Sequence, residues 1–403
     1  MARAEGQMGD EIFRAQLRLV QERFAEQGIT VVAVPDREGG IDYIYAEGQI
    51  VARSEVVPEL QRYFDVEILS PDRNDGLMVL GVPGGSTVPE FLDRARDAIP
   101  GRRADFKENS IVSLTGVRMC QGTEPEVPCC ADPCPPLVES SAGKGVLIGV
   151  SDTGLVEIPP SHPWLAGVTG EPDAAPAGVI PVYSGHGTFI AGVARGVAPL
   201  ADVWVADHFP DTGATLESDL LPKLIDILDR GAQVISLSAG THTREDVPLI
   251  STEIFWESHL RGRTDVVLLA AAGNNDTDRP FYPAAMEWAI AVGALGADRT
   301  HRAFFSNFGP WVDVWALGEG LVNAFGAGTY TYNEPPRAGA KQDFDRMARW
   351  SGTSFATPIV AGLVAGWLPG NPGATHVEVR AALRAAATPG TEVGPAVRAD
   401  QPL

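Results

Sequence analysis

The sequence predicts an α/β chain, with a parallel sheet covered by helices on both faces and a small α+β N-terminal domain ahead of it. Three observations carry this. After about residue 143, the runs VLIGV, DVWVA, QVISLS, VVLLAAAG and WAIAVGA are apolar throughout. A strand with one wet face alternates, so these strands are buried on both faces. Segments of helical period separate them, which makes βαβ units. Upstream of about residue 118, shorter strands alternate with two helical stretches, and the two textures meet at a proline- and cysteine-rich segment.

The elements follow in chain order. Residues 1–27 read as a helical extension, and charges every few residues deny it the apolar core of a secretory leader. Residues 28–118 hold the candidate strands TVVAV, DYIYAEGQIVA and LMVLGV, the helical stretches EVVPELQRYF and VPEFLDRARDAI, and a closing strand in ENSIVSLTG. Residues 119–142 form a linker containing CQGTEPEVPCCADPC. Its Cys120, Cys129, Cys130 and Cys134 fit two disulfides in any of three pairings, a metal site of unusual spacing, or free thiols. The α/β domain occupies 143–388 and a tail 389–403. Its clearest helix is TLESDLLPKLIDILDRG, where Leu216, Leu220, Leu224, Ile227 and Leu228 share a face and Gly231 supplies the stop.

Composition bounds the function. With 403 residues and 44% hydrophobic content, the chain can bury a large core in two domains. A formal net charge of −21 opposes binding to phosphate backbones or anionic membranes, so neither nucleic acid nor membrane is an expected partner. No apolar run is long enough for a spanning helix, and a cytoplasmic location is the expectation.

In parallel sheets, ligands sit beyond the carboxyl ends of the strands. VLIGVSDTG delivers Asp152 there, a residue that is more often a turn former than a catalyst. The DTG triplet occurs a second time at residues 211–213, but an aspartic protease pairing two such carboxylates, two-lobed or dimeric, fits this long α/β chain poorly. YSGHGTFIAGVARG sets His186 between Gly185 and Gly187. The same box overlays a dinucleotide fingerprint, with Asp207 about twenty residues on, so a nicotinamide oxidoreductase is a competitor. VVLLAAAGNNDTD carries Asn274 into a glycine turn, either as turn chemistry or as a neutral donor for an oxyanion. RWSGTSFATPIVAG puts Ser354 at a helix start, where serine also serves as a cap and an early Pro358 is tolerated. Acyl transfer needs a hydroxyl, an imidazole, an orienting carboxylate and an oxyanion donor, and all four are present in the order Asp152, His186, Asn274, Ser354.

DTG, GHGTFIAGVARG and SGTSFATPIVAG, with VISLSAG and AAAGNN between them, resemble the boxes of subtilisin-like serine proteases over about residues 143 to 388. The resemblance implies a seven-stranded-type parallel sheet and a serine endopeptidase acting on polypeptides. Carried over residue by residue, Asp152 orients the ring, His186 is base then acid, Ser354 attacks, and Asn274 with the Ser354 amide makes the oxyanion hole. Ser238, Ala239 and Gly240 correspond to the substrate-binding strand, and Ala272 and Gly273 to the wall of the primary pocket. The chain departs from the pattern at Ala239, where leucine is common, and at ALG in place of APG. The resemblance also implies a prodomain-like or regulatory role for residues 28–118, as an intramolecular inhibitor in a zymogen. No cofactor is required; family members often hold calcium, but no loop here offers a convincing oxygen set. A catalytically silent binding relative and, remotely, the NAD-dependent enzyme are the alternatives.

Overall fold

The computed structural model describes residues 2–36, 40–72, 75–114, 124–129, 135, 141–158, 161–209, 213–388 and 391–403, with side chains from residue 11. Cys129 is exposed. Cys120, Cys130 and Cys134 lie outside the described residues.

The N-terminal region runs α1 (Ala2–Glu26), β1 (Val31–Pro35), β2 (Ile41–Arg53), α2 (Val57–Tyr63), β3 (Glu67–Ser70), β4 (Leu77–Gly81), α3 (Val88–Ala98) and β5 (Phe106–Ser113). The α/β region continues with β6 (Leu147–Asp152), β7 (Val168–Gly170), β8 (Val179–Ile180), α4 (His186–Val197), β9 (Asp202–Asp207), β10 (Ala214–Leu216), α5 (Glu217–Asp229) and β11 (Val234–Leu237). It closes with α6 (Ile250–Phe255), β12 (Val267–Ala271), β13 (Ile290–Leu295), β14 (Val314–Leu317), β15 (Leu321–Thr331), β16 (Lys341–Trp350), α7 (Thr353–Trp367) and α8 (His376–Ala385).

Among the described residues, seven parallel strands form the main sheet in the order β14-β13-β12-β11-β6-β9-β7. The expected α/β class is therefore what the chain adopts. One face packs on α4 and α7 through Val150, Val292, Phe189, Ile359 and Val360. The other packs on α5 and α6 through Ile235, Leu268, Leu224 and Ile254. α7 is buried from Thr353 to Ala365, as its all-round apolar sequence requires. The segment around Pro395 and Val397 lies against the sheet edge, where Trp315 N–H donates to Pro395 O at 2.8 Å and Val397 N–H to Trp315 O at 2.8 Å.

The N-terminal sheet has the order β10-β5-β2-β4-β3, with β1 on β2. One face carries α2 and α3 over Tyr45, Ile50, Phe91 and Phe106. Val51, Leu77, Val112 and Leu114 join the core around α5 and α6. β10 belongs in sequence to the α/β region, yet it pairs antiparallel with β5, Leu216 opposite Ile111. Leu216 is thus a strand residue that ends just before α5, not part of the helix face; Leu220, Leu224, Ile227 and Leu228 keep that face. Pairing with β5 wins there because it satisfies backbone groups that a longer helix would leave at its frayed end.

A buried ionic cluster joins the two regions. Lys107 Nζ lies 3.0 Å from Glu217 Oε2 and 3.4 Å from Glu108 Oε1, and donates to Ser110 Oγ at 2.8 Å. Burial alone would strip the Lys107 charge, but the two carboxylates more than offset it and its pKa rises.

Candidate active site

Three segments meet at the carboxyl ends of the central strands. Asp152 ends β6, and its Oδ1 accepts from Thr153 N–H at 2.9 Å. The same oxygen is 2.7 Å from His186 Nδ1. His186 opens α4, and close packing puts it there: a Cβ on Gly187 would come within 2.6 Å of Gly154 O, and Gly185 holds φ +82°. The imidazole is flanked by the rings of Trp350 at 5.3 Å and Phe355 at 5.2 Å.

Ser354 is the second residue of α7. Pro358 sits in the second turn of that helix, deeper than the sequence reading placed it. Its missing N–H leaves the Ser354 carbonyl without an intrahelical donor. Ser238 Oγ fills the gap, donating to Ser354 O at 3.0 Å, and Ser354 Oγ reaches Ser238 O at 3.4 Å. The proline is thus part of how the segment after β11 is tied to the helix that carries the hydroxyl.

Asn274 is oriented from one side. Its Oδ1 accepts from Thr353 N–H at 2.9 Å and Thr353 Oγ1 at 2.8 Å. Nδ2 is then left to face Gly352, where an added Cβ would sit 3.6 Å from it. Thr353 Oγ1 also accepts from Gly273 N–H at 3.1 Å. Gly273 has φ +95°, and a Cβ there would lie 2.5 Å from Asn307 Nδ2, so only glycine fits. Thr353 and Asn307 are absent from the sequence-level candidates. The threonine beside the serine was the available signal, while Asn307 comes from a distant loop and had none.

Of the substrate-binding candidates, Gly240 exchanges both backbone hydrogen bonds with Ser113, at 3.1 and 3.0 Å. Ala239 is buried in the same cluster as Val112 and Leu114. Leu114 N–H donates to Gly213 O at 2.8 Å. The end of β5 therefore lies as a middle strand between Gly213–Leu216 and Ser238–Gly240. Ala272 is fully buried, and its carbonyl accepts from Asn307 Nδ2 at 2.8 Å. Ser354 and His186 are each only 3% exposed.

Asp173 borders the histidine loop. Its Oδ2 accepts from Gly185 N–H at 2.6 Å and Thr153 Oγ1 at 3.3 Å, and burial pushes its pKa up against these bonds. Among the described residues, no group of three or more His, Cys, Asp or Glu is arranged to hold a metal ion. No described helix is long and apolar enough to cross a membrane.

The dinucleotide reading is not favoured. The box opens α4, but the strand before it, β8, pairs with β15 and lies outside the parallel sheet. Gly187 packs on Gly154 O and leaves no cradle for a phosphate.

Residues 143–399 match the model of the Subtilase family. The chain belongs to that family. It is 34% identical over 209 residues to the thermophilic serine proteinase of Bacillus sp. (strain AK1), covering 49% of this chain and 45% of that protein. It is 32% identical over 253 residues to thermitase of Thermoactinomyces vulgaris, covering 60% of this chain and 80% of that one. Among solved structures, fervidolysin from Fervidobacterium pennivorans, a keratinolytic enzyme related to subtilisin, superposes with a TM-score of 0.60 at 20% identity. That likeness of fold covers 88% of this chain and 60% of fervidolysin.

Proposed function

We propose that this chain is a serine endopeptidase whose catalytic residues are Asp152, His186 and Ser354, with Asn274 and the Ser354 amide as oxyanion donors. The observation that carries the assignment is the 2.7 Å bond between His186 Nδ1 and a buried Asp152 carboxylate. It holds the ring in the tautomer whose Nε2 accepts a proton. Ser354 Oγ attacks the substrate carbonyl while its proton passes to His186 Nε2. The carbonyl oxygen becomes an anion, held by Asn274 Nδ2 and by the Ser354 N–H at the positive end of α7. His186 then gives its proton to the leaving amine as the C–N bond breaks, and water repeats the sequence to release the acid.

The substrate class is polypeptide, bound as an added strand between Gly213–Leu216 and Ser238–Gly240. Residues 28–118 are the intramolecular inhibitor, since Ser113 and Leu114 hold the backbone bonds a substrate strand would make. The chain is then a zymogen, processed downstream of Leu114.

Intact mass of purified wild type against Ser354→Ala, with fluorophosphonate labelling, tests this. Expected are a truncated, labelled wild type and a full-length, unlabelled variant. Equal masses would remove self-processing. A folded wild type that is never labelled would make the chain a silent binding relative.

A further inference from the structure

We propose that Glu124–Glu126 is a retained strand docked on the leaving-group side of the cleft, along the edge of β16 that the C-terminal half of an extended substrate would use. The inference rests on the endopeptidase reading above. β16 runs into Ser354 through Trp350, whose ring meets His186 at 5.3 Å. Its far edge pairs with β15. On its near edge, Arg349 exchanges both backbone bonds with Glu126: Glu126 N–H to Arg349 O at 2.9 Å, and Arg349 N–H to Glu126 O at 2.7 Å. From this edge, Ser351 and Gly352 connect Trp350 to the first turn of α7, which carries Ser354.

Side chains fasten the strand at both ends. The Glu124 carboxylate is buried and accepts from Tyr330 OH at 3.0 Å, Asn333 N–H at 2.7 Å and Glu334 N–H at 3.1 Å. Pro125 O accepts from Tyr332 OH at 3.1 Å. The Glu126 carboxylate lies 3.1 Å from Arg349 and 3.4 Å from Arg337. Every one of these partners belongs to the β15–β16 hairpin. Gln16 of α1 adds a contact from the other domain by donating to Glu334. Cleavage anywhere between Leu114 and Glu124 therefore frees the Ser113 side of the cleft but leaves Glu124–Glu126 attached to the catalytic domain.

A tethered strand competes with substrate at an effective concentration on the order of millimolar. The processed enzyme then accepts substrates with little chain beyond the scissile bond and discriminates against those that extend along β16. The test uses processed protein and two substrates with one acyl half: a peptidyl p-nitroanilide, and an internally quenched peptide with four residues after the scissile bond. Glu124→Ala/Glu126→Arg removes the carboxylate anchor and sets a positive charge against Arg349 and Arg337. Expected is a p-nitroanilide kcat/KM within about twofold of wild type, with the quenched-peptide kcat/KM raised at least about tenfold, a difference of roughly 1.4 kcal/mol. In hydrogen exchange, the Arg349 amide should be protected in processed wild type and fast in the variant. An unchanged ratio of the two substrates, or an Arg349 amide as fast in wild type as in the variant, overturns the strand while leaving the endopeptidase intact. A wild type that neither cuts the p-nitroanilide nor takes a fluorophosphonate overturns both.

Discussion

Ser113, at the end of β5, and Gly240 face each other and exchange both of their backbone hydrogen bonds, at 3.1 and 3.0 Å. The last residue of β5 is therefore held by one of the segments expected to bind substrate. Proline at position 113 would remove the N–H that Gly240 O accepts, at a cost near that of one backbone bond, about 1 kcal/mol. Fluorophosphonate labelling of freshly purified Ser113→Pro should be about five- to tenfold faster than wild type. Equal rates would show that this pairing does not shield Ser354.

Asn274 is aimed by Thr353, and the two positions should separate kinetically. Asn274→Ala should lower kcat by about 10²–10³ with KM little changed; this scale is borrowed from the oxyanion donor of a subtilisin. Thr353→Val keeps the donor but removes the hydroxyl bond that orients it, and an approximately tenfold loss of kcat is expected, restored by Thr353→Ser. A Thr353→Val enzyme with wild-type kcat would mean that the backbone N–H of residue 353 suffices.

The Lys107 cluster makes a stability prediction. Lys107→Met leaves the carboxylates of Glu108 and Glu217 buried together without a cation, which costs roughly 3–5 kcal/mol. Urea unfolding of the uncleaved Ser354→Ala protein is the measurement, and Lys107→Met/Glu217→Gln should recover part of the loss. A single variant as stable as its parent would show that water reaches the cluster.

Acid should destabilise the fold through His208. Its ring is buried, with Nδ1 2.8 Å from Ser151 Oγ. Burial first, then Lys223 and Arg230, push its pKa down to about 3, with Asp226 opposing them. The folded value lies below the unfolded 6.5, so the unfolded chain takes the proton first. The contribution is complete above pH 6.5 and is lost as pH falls toward 3, about 2 kcal/mol by pH 5. His208→Asn should flatten the stability curve between pH 6.5 and 5, as followed by thermal unfolding. Parallel curves would assign the acid loss to other groups.

Much of the main sheet was legible because strands buried on both faces write their burial into local composition. VLIGV became part of β6 and VVLLAAAG carried β12, ending at the turn that presents Asn274. Leu216 was misread as helical because a short strand ahead of a helix shares its apolar residues, and only pairing with Ile111 distinguishes them. Pro358 was placed a turn too early because nothing local marks which residue of SGTS begins the helix.

The amino-acid sequence alone determined the chemical inventory: an acid, an imidazole, an amide and a hydroxyl, each beside small residues at the end of an apolar run, in one diagnostic order. Those signals are local, since each depends on neighbours within a few positions. Tertiary structure alone decided which distant segments pair beside the candidate site, with Ser113 on Gly240 and Glu126 on Arg349. Backbone pairing between distant segments uses N–H and C=O groups that almost every residue carries, so it leaves no mark in side-chain pattern until the fold sets the partners side by side.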